Sequence, residues 1–166
     1  VIMGIIAIAL MIGLALVGAS YFGEEATGAS QDAKATSYMS PLTLTASAVK
    51  VYNRDASPPA PATTSLAFLS DLGVGPTTLP NGNSVVLVGA TGALSGQARY
   101  AAVSLGSGSA DGGRVCKSMI GMMSISEVPV VPVLSSWPST GQRGCFLASA
   151  AIGPFASGDY IMYVGI

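Results

Sequence analysis

The stretch Val1-Ile-Met-Gly-Ile-Ile-Ala-Ile-Ala-Leu10-Met-Ile-Gly-Leu-Ala-Leu-Val-Gly-Ala-Ser20-Tyr-Phe-Gly23 holds no charged residue, and the first charges, Glu24 and Glu25, follow it at once. At ~1.5 Å per residue, a helix over 1–23 is about 34 Å long, which matches a bilayer core. Three readings compete. A signal peptide needs a basic region ahead of its apolar core, and Val1 opens the sequence without one. An ordinary membrane anchor usually has basic residues on its cytoplasmic flank, whereas the flank here is acidic. The third reading is a helix at the N-terminus of a processed chain, held first in a membrane and later packed among other helices. The missing initiator Met leads to the expectation of a removed leader or of a fragment. Small residues recur through the segment at Gly4, Ala7, Ala9, Gly13, Ala15, Gly18, Ala19 and Gly23, and they let apolar helices approach closely. Each Gly also weakens a helix by about 1 kcal/mol relative to Ala, so the helix is expected to be least secure between Gly13 and Gly23.

Beyond Glu24 the sequence becomes more polar but keeps a helical pattern. Tyr38, Leu42, Thr45, Val49 and Tyr52 are spaced 4, 3, 4 and 3, so they share one helical face. That stripe reads as core. Pro41 interrupts the pattern and has two readings. It kinks one long helix, or it opens a second helix with Ser40 as N-cap. Ser57-Pro-Pro-Ala-Pro61 ends the helix.

The remainder reads as a β-rich head. Ser65-Leu-Ala-Phe-Leu-Ser-Asp-Leu-Gly73 reads as a short helix capped by Ser65, with Leu66, Leu69 and Leu72 on its apolar side and Gly73 as its stop. Asn81-Gly82 marks a turn. Val85–Val88 and Ala98–Leu105 are strand-like runs, and Gly89, Gly92 and Gly96 lie between them as in a hairpin link. Gly106–Gly113 reads as loop. Arg114–Met123 reads as helix, because Val115, Met119, Ile120 and Met123 fall on one face. The prolines in Val128–Val133 confine that run to a sheet edge. Gly144–Ala148 and Asp159–Ile166 are the final strands. The expected class is α+β: a long N-terminal helix, apolar in its first half, packed on a small, mainly antiparallel sheet. Its parts are 1–23, an apolar helix; 24–55, its amphipathic continuation; and 56–166, the head.

Of the 166 residues, 9% are charged, against about a quarter in an average soluble domain. Part of that difference is the apolar segment, and the rest is a surface rich in Ser, Thr, Gly and Ala, which has little charge to repel a neighbouring copy. A net charge of −1 offers no electrostatic footprint for nucleic acid. The absence of His removes the commonest general base and metal ligand. Gly73-Val-Gly75 lacks the setting of a dinucleotide loop, and Gly89-Ala-Thr-Gly92 lacks the Lys of a phosphate loop. A Ser104–Lys117 pair is the one nucleophilic arrangement the composition allows. No enzyme, cofactor or metal site is expected. Cys116 and Cys145 read most simply as one disulfide, the alternative being two buried thiols. A disulfide would place the head outside the cytosol.

In order, the apolar start at Val1, the amphipathic run to Asn53, the Leu66–Gly73 helix followed by Pro76, the Asn81-Gly82 turn into a strand and the late Cys pair resemble type IV pilins. The likeness is to the type IVb-like members in particular, with minor pilins and conjugation-type pilus subunits close by. The resemblance implies a filament subunit that contacts copies of itself through Val1, Ile2, Ile5, Ile6, Ile8, Leu10, Leu14 and Leu16. It implies a stay in the inner membrane, processing by a prepilin peptidase, handling by the pilus assembly machinery, and a final place in an extracellular pilus. Adhesion, aggregation, DNA transfer and conjugation are the roles such filaments serve. It also implies that Cys116–Cys145 encloses a variable, exposed region. Together with Gly106–Gly113, the Trp137–Gly144 loop is the expected outer surface. Ile5 departs from the family's usual Glu, which pairs with a neighbour's N-terminal amine, so backbone carbonyls or methylation must serve instead. Val1 stands where Phe or Met is more usual. The competing assignment is a membrane-anchored binding module that stays monomeric in the periplasm or at the surface.

Overall fold

A computed structural model of the chain describes residues 30, 32–74, 78–79, 81–107, 110–122, 130–131 and 143–166. The apolar segment 1–23, Glu24, Glu25, Met123 and Trp137 lie outside them. Among the described residues no helix is long and apolar enough to cross a membrane.

The first helix, α1, covers residues 32–55. Its expected stripe is the face that packs: Leu42, Thr45 and Val49 are wholly buried, Tyr38 nearly so, and Tyr52 lies against the same core. Thr45 is a polar residue at the centre of that face, and its hydroxyl donates to the Pro41 carbonyl at 2.8 Å, so nothing polar is left unmet there. Pro41 does not open a second helix. Residues on both sides of it are helical, and Ser40 is an interior position and not a cap. The proline costs the helix about 3 kcal/mol. Burial of Tyr38 and Leu42 beside it, at about 1.5–3 kcal/mol for a large apolar side chain, offsets that. The helix ends as expected before Ser57-Pro58-Pro59, and the Asn53 side-chain oxygen accepts the Ala60 N–H at 2.8 Å to turn the chain back toward the sheet.

The expected short helix is a 3₁₀ helix, Ala67–Leu72, and Ser65 does not cap it. The Ser65 hydroxyl makes no cap: the flanking position is Leu66, with no side-chain hydrogen bond to the turn, and the Ser65 N–H is itself held by Thr63 Oγ1 at 3.1 Å. Six residues are too few for a stable α-helix without a cap. Leu69 is buried, Leu66 rests on the core and Leu72 is exposed. Gly73 ends the turn in the left-handed region, as the sequence suggested.

Among the described residues five strands form one sheet: β1 (Val86–Val88), β2 (Tyr100–Ser107), β3 (Val130–Val131), β4 (Arg143–Ala148) and β5 (Asp159–Gly165), in the order β1-β2-β5-β4-β3. All pairings are antiparallel except β3 with β4, and the proline-flanked Val130–Val131 sits at the edge. The C-terminal strand is therefore the centre of the sheet. Its side chains alternate: Met162 and Val164 join the core under the helices, while Ile161 and Tyr163 join a second cluster on the opposite face. The same alternation places Ala101, Val103 and Leu105 of β2 under the helices and Ala102 opposite. Ile152 and Phe155, paired across a tight turn in the β4–β5 connection, belong to that second cluster.

The second helix, α2 (Ala110–Met122), corrects the expectation of a loop through Gly113. Two adjacent glycines disfavour helix, but Gly113 is a contact point. A Cβ there would stand 3.1 Å from the Tyr160 ring, so glycine lets the first turn of α2 lie against β5. Val115, Met119 and Ile120 bury their expected common face. Lys34 reaches Asp111 with both carboxylate oxygens within 3.2 Å, and Ser118 donates to Asp32, so two polar contacts join α1 to α2 at the surface. The fold is thus α+β, with both helices contributing to the core on one face of a mainly antiparallel sheet.

Candidate assembly surface

Helix α1 has two unlike faces. Opposite the buried stripe lie Thr36, Ser37, Ser40, Thr43, Leu44, Ser47, Lys50, Val51 and Arg54, all exposed. Leu44 is 57% exposed and Val51 43%, one heptad apart, so the outward face carries its own apolar pair. Three of its five hydroxyls bond back to the helix. Thr36 donates to the Asp32 carbonyl at 2.9 Å, Thr43 to Met39 at 3.0 Å and Ser37 to Lys34 at 2.9 Å. Hydroxyls bonded back to their own helix need no water. Covering these three with another protein surface therefore leaves no orphaned donor among them. Sequence reading found the inward stripe and missed this one, although the spacing of Leu44 and Val51 was its signal.

Beside α1 lie two hollows, of about 290 and 280 Å³. The first runs between α1 and α2 and is mainly apolar, with Ala35, Met39, Met119 and Met122 among its walls. The second is more polar, with Thr43, Ser47, Lys50 and the backbone end of β5 at Val164 and Gly165. Thr43 and Arg143 line both. Arg143 opens β4 opposite Val164, which is what carries its side chain to this place. No sequence pattern pointed to Arg143, because its position depends on strand register.

Cys116 of α2 and Cys145 of β4 form a disulfide, with Cα atoms 5.5 Å apart, and both are buried in the core beneath the helices. The bridge fixes the last long helix to the sheet. The Ser104 hydroxyl accepts the Gly106 N–H at 3.1 Å where the β2 register shifts, and Lys117 is an exposed residue of α2. Among the described residues no three His, Cys, Asp or Glu side chains gather as metal ligands would. The residues expected to contact other copies, Val1 to Leu16, and most of the expected outer loop at Trp137–Gly144 lie outside the described residues.

On the far face of the sheet, Tyr163 meets Tyr100 edge-on at 5.6 Å and Phe146 at 5.9 Å. Burial, and secondarily the neighbouring Tyr100, raise the Tyr163 phenol above its ordinary value. Gly144 opposite it has no room for a side chain, since a Cβ would come within 2.6 Å of the Tyr163 hydroxyl.

Comparison of the chain with family models, with curated proteins and with solved structures gives no match.

Proposed function

We propose that this protein is a structural subunit of the type IV pilin kind. It polymerises into an extracellular filament by packing its apolar N-terminal segment against those of other copies. The observation that carries the reading is the two-faced helix α1, which immediately follows residues 24–31 and the uncharged run 1–23 in sequence. One face is sealed on a mainly antiparallel sheet, and the other exposes Leu44 and Val51 beside Thr36, Ser37 and Thr43, whose hydroxyls bond back to the helix. A helix built this way suits a place between its own head and neighbouring subunits. In the pilin layout, residues 1–23 wait in the inner membrane and then exchange lipid for like helices, where close packing supplies the stability. Contacts that repeat head to tail without closing give a filament. The buried disulfide suits an extracellular head.

The test is the double substitution Leu44→Lys/Val51→Lys. Both side chains are exposed, so the head should fold and keep its disulfide while filament yield falls about tenfold or more, the effect of roughly 1.4 kcal/mol lost per contact. Normal filaments from this variant would refute the role given to the outward face.

A further inference from the structure

The two hollows beside α1 share Thr43 and Arg143, so they make one groove with a graded lining. The half near Ala35 is walled by Met39, Met119 and Met122, and the half near the end of β5 presents Lys50 and Arg143. Among the described residues no carboxylate lines either half, and neither cation has an ion-pair partner there. The chain contains a segment with the matching order. Residues 1–23 are uncharged, and Glu24-Glu25, the one place where two acidic residues adjoin, follows directly.

We infer that this groove docks the N-terminal segment of a second copy of the chain. Glu24 and Glu25 meet Lys50 and Arg143, and the apolar residues ahead of them pass over Met39, Met119 and Met122. Methionine suits such a role because its flexible thioether adapts to the helix it receives. The charge pairs set register and direction more than they add affinity. The occupant must be another copy. A chain's own segment, doubled back from Asp32 along α1, would reach Lys50 with its acids first and would carry its apolar residues onward, away from the methionines. A second copy running parallel to α1 places both halves correctly.

This docking rests on the filament reading, and the experiment separates the two. Filament yield from cells is compared for the wild-type chain, Lys50→Glu/Arg143→Glu, Glu24→Lys/Glu25→Lys and the combination of all four. Each double variant should lose about tenfold or more, the size of one lost charge pair, and the fourfold variant should regain most of the wild-type yield. Independently, a chain with Glu25→Cys and Lys50→Cys should form oxidative cross-links between copies, while Glu25→Cys with Leu94→Cys, an exposed position outside the groove, should not. If wild type makes no filament, the filament reading falls and the docking with it. If wild type makes filaments, an unchanged yield from Lys50→Glu/Arg143→Glu, together with no cross-link in the Glu25→Cys/Lys50→Cys chain, overturns the docking alone.

Discussion

Replacing both bridge cysteines, Cys116→Ala with Cys145→Ala, should lower the stability of the head by a calculable amount. The two residues are 29 apart in sequence. In the chain-entropy model a loop of that length contributes about 3.6 kcal/mol at 25 °C by restricting the unfolded chain. Alanine leaves no buried thiol to be accommodated, although it removes some packing at a site that is 0% exposed on one side and 2% on the other. For a chain of this size each kcal/mol shifts the midpoint by about 2–4 °C, so the midpoint should fall by about 7–14 °C. The assay is thermal unfolding of the full chain in detergent, followed by circular dichroism, with wild type and variant side by side. Because both sulfurs are buried, reductant without denaturant should leave the wild-type bridge intact. A shift under about 2 °C, less than 1 kcal/mol produces, or ready reduction of the folded wild type, would refute the view that this bridge fastens α2 to β4 inside the core.

Other substitutions read other parts of the account. Leu42→Ala empties a fully buried position under α1 and should destabilise by about 2–5 kcal/mol, read as a lower denaturation midpoint with the slope unchanged. Tyr163 predicts an alkaline limit. Its folded phenol is held above the ordinary value of 10.0, so above that pH the unfolded chain loses a proton that the folded chain keeps, and stability falls as pH rises until the folded group also ionises. Tyr163→Phe should flatten that decline above about pH 10 in a stability-versus-pH series, and an unaltered slope would count against it. Gly113→Leu forces a side chain into the Tyr160 ring and should loosen α2, seen as faster amide exchange in 110–122.

Much of the fold was legible because periodicity reports burial. The Tyr38–Tyr52 stripe, the two strands around the Gly89–Gly96 link, the edge position of Val130–Val131 and the final strands all follow from side-chain spacing and proline placement. Where local preference and the fold differ, tertiary contact is the main cause. Gly112 and Gly113 weaken a helix in isolation, yet Gly113 is where α2 must approach Tyr160. Pro41 allowed one kinked helix or the start of a second, and the buried flanking side chains hold one helix through it. Ser65 looked like a cap, but the segment after it is too short to be an α-helix. The groove was invisible in one dimension, since Lys50, Met119 and Arg143 meet only after the sheet and both helices are assembled.

The most direct test of the central claim is electron microscopy of material sheared from the cell surface, with mass spectrometry of the filaments. The account predicts thin filaments composed mainly of this chain. Finding the chain intact and monomeric in the membrane fraction, and in no filament, would contradict it and favour an anchored binding module.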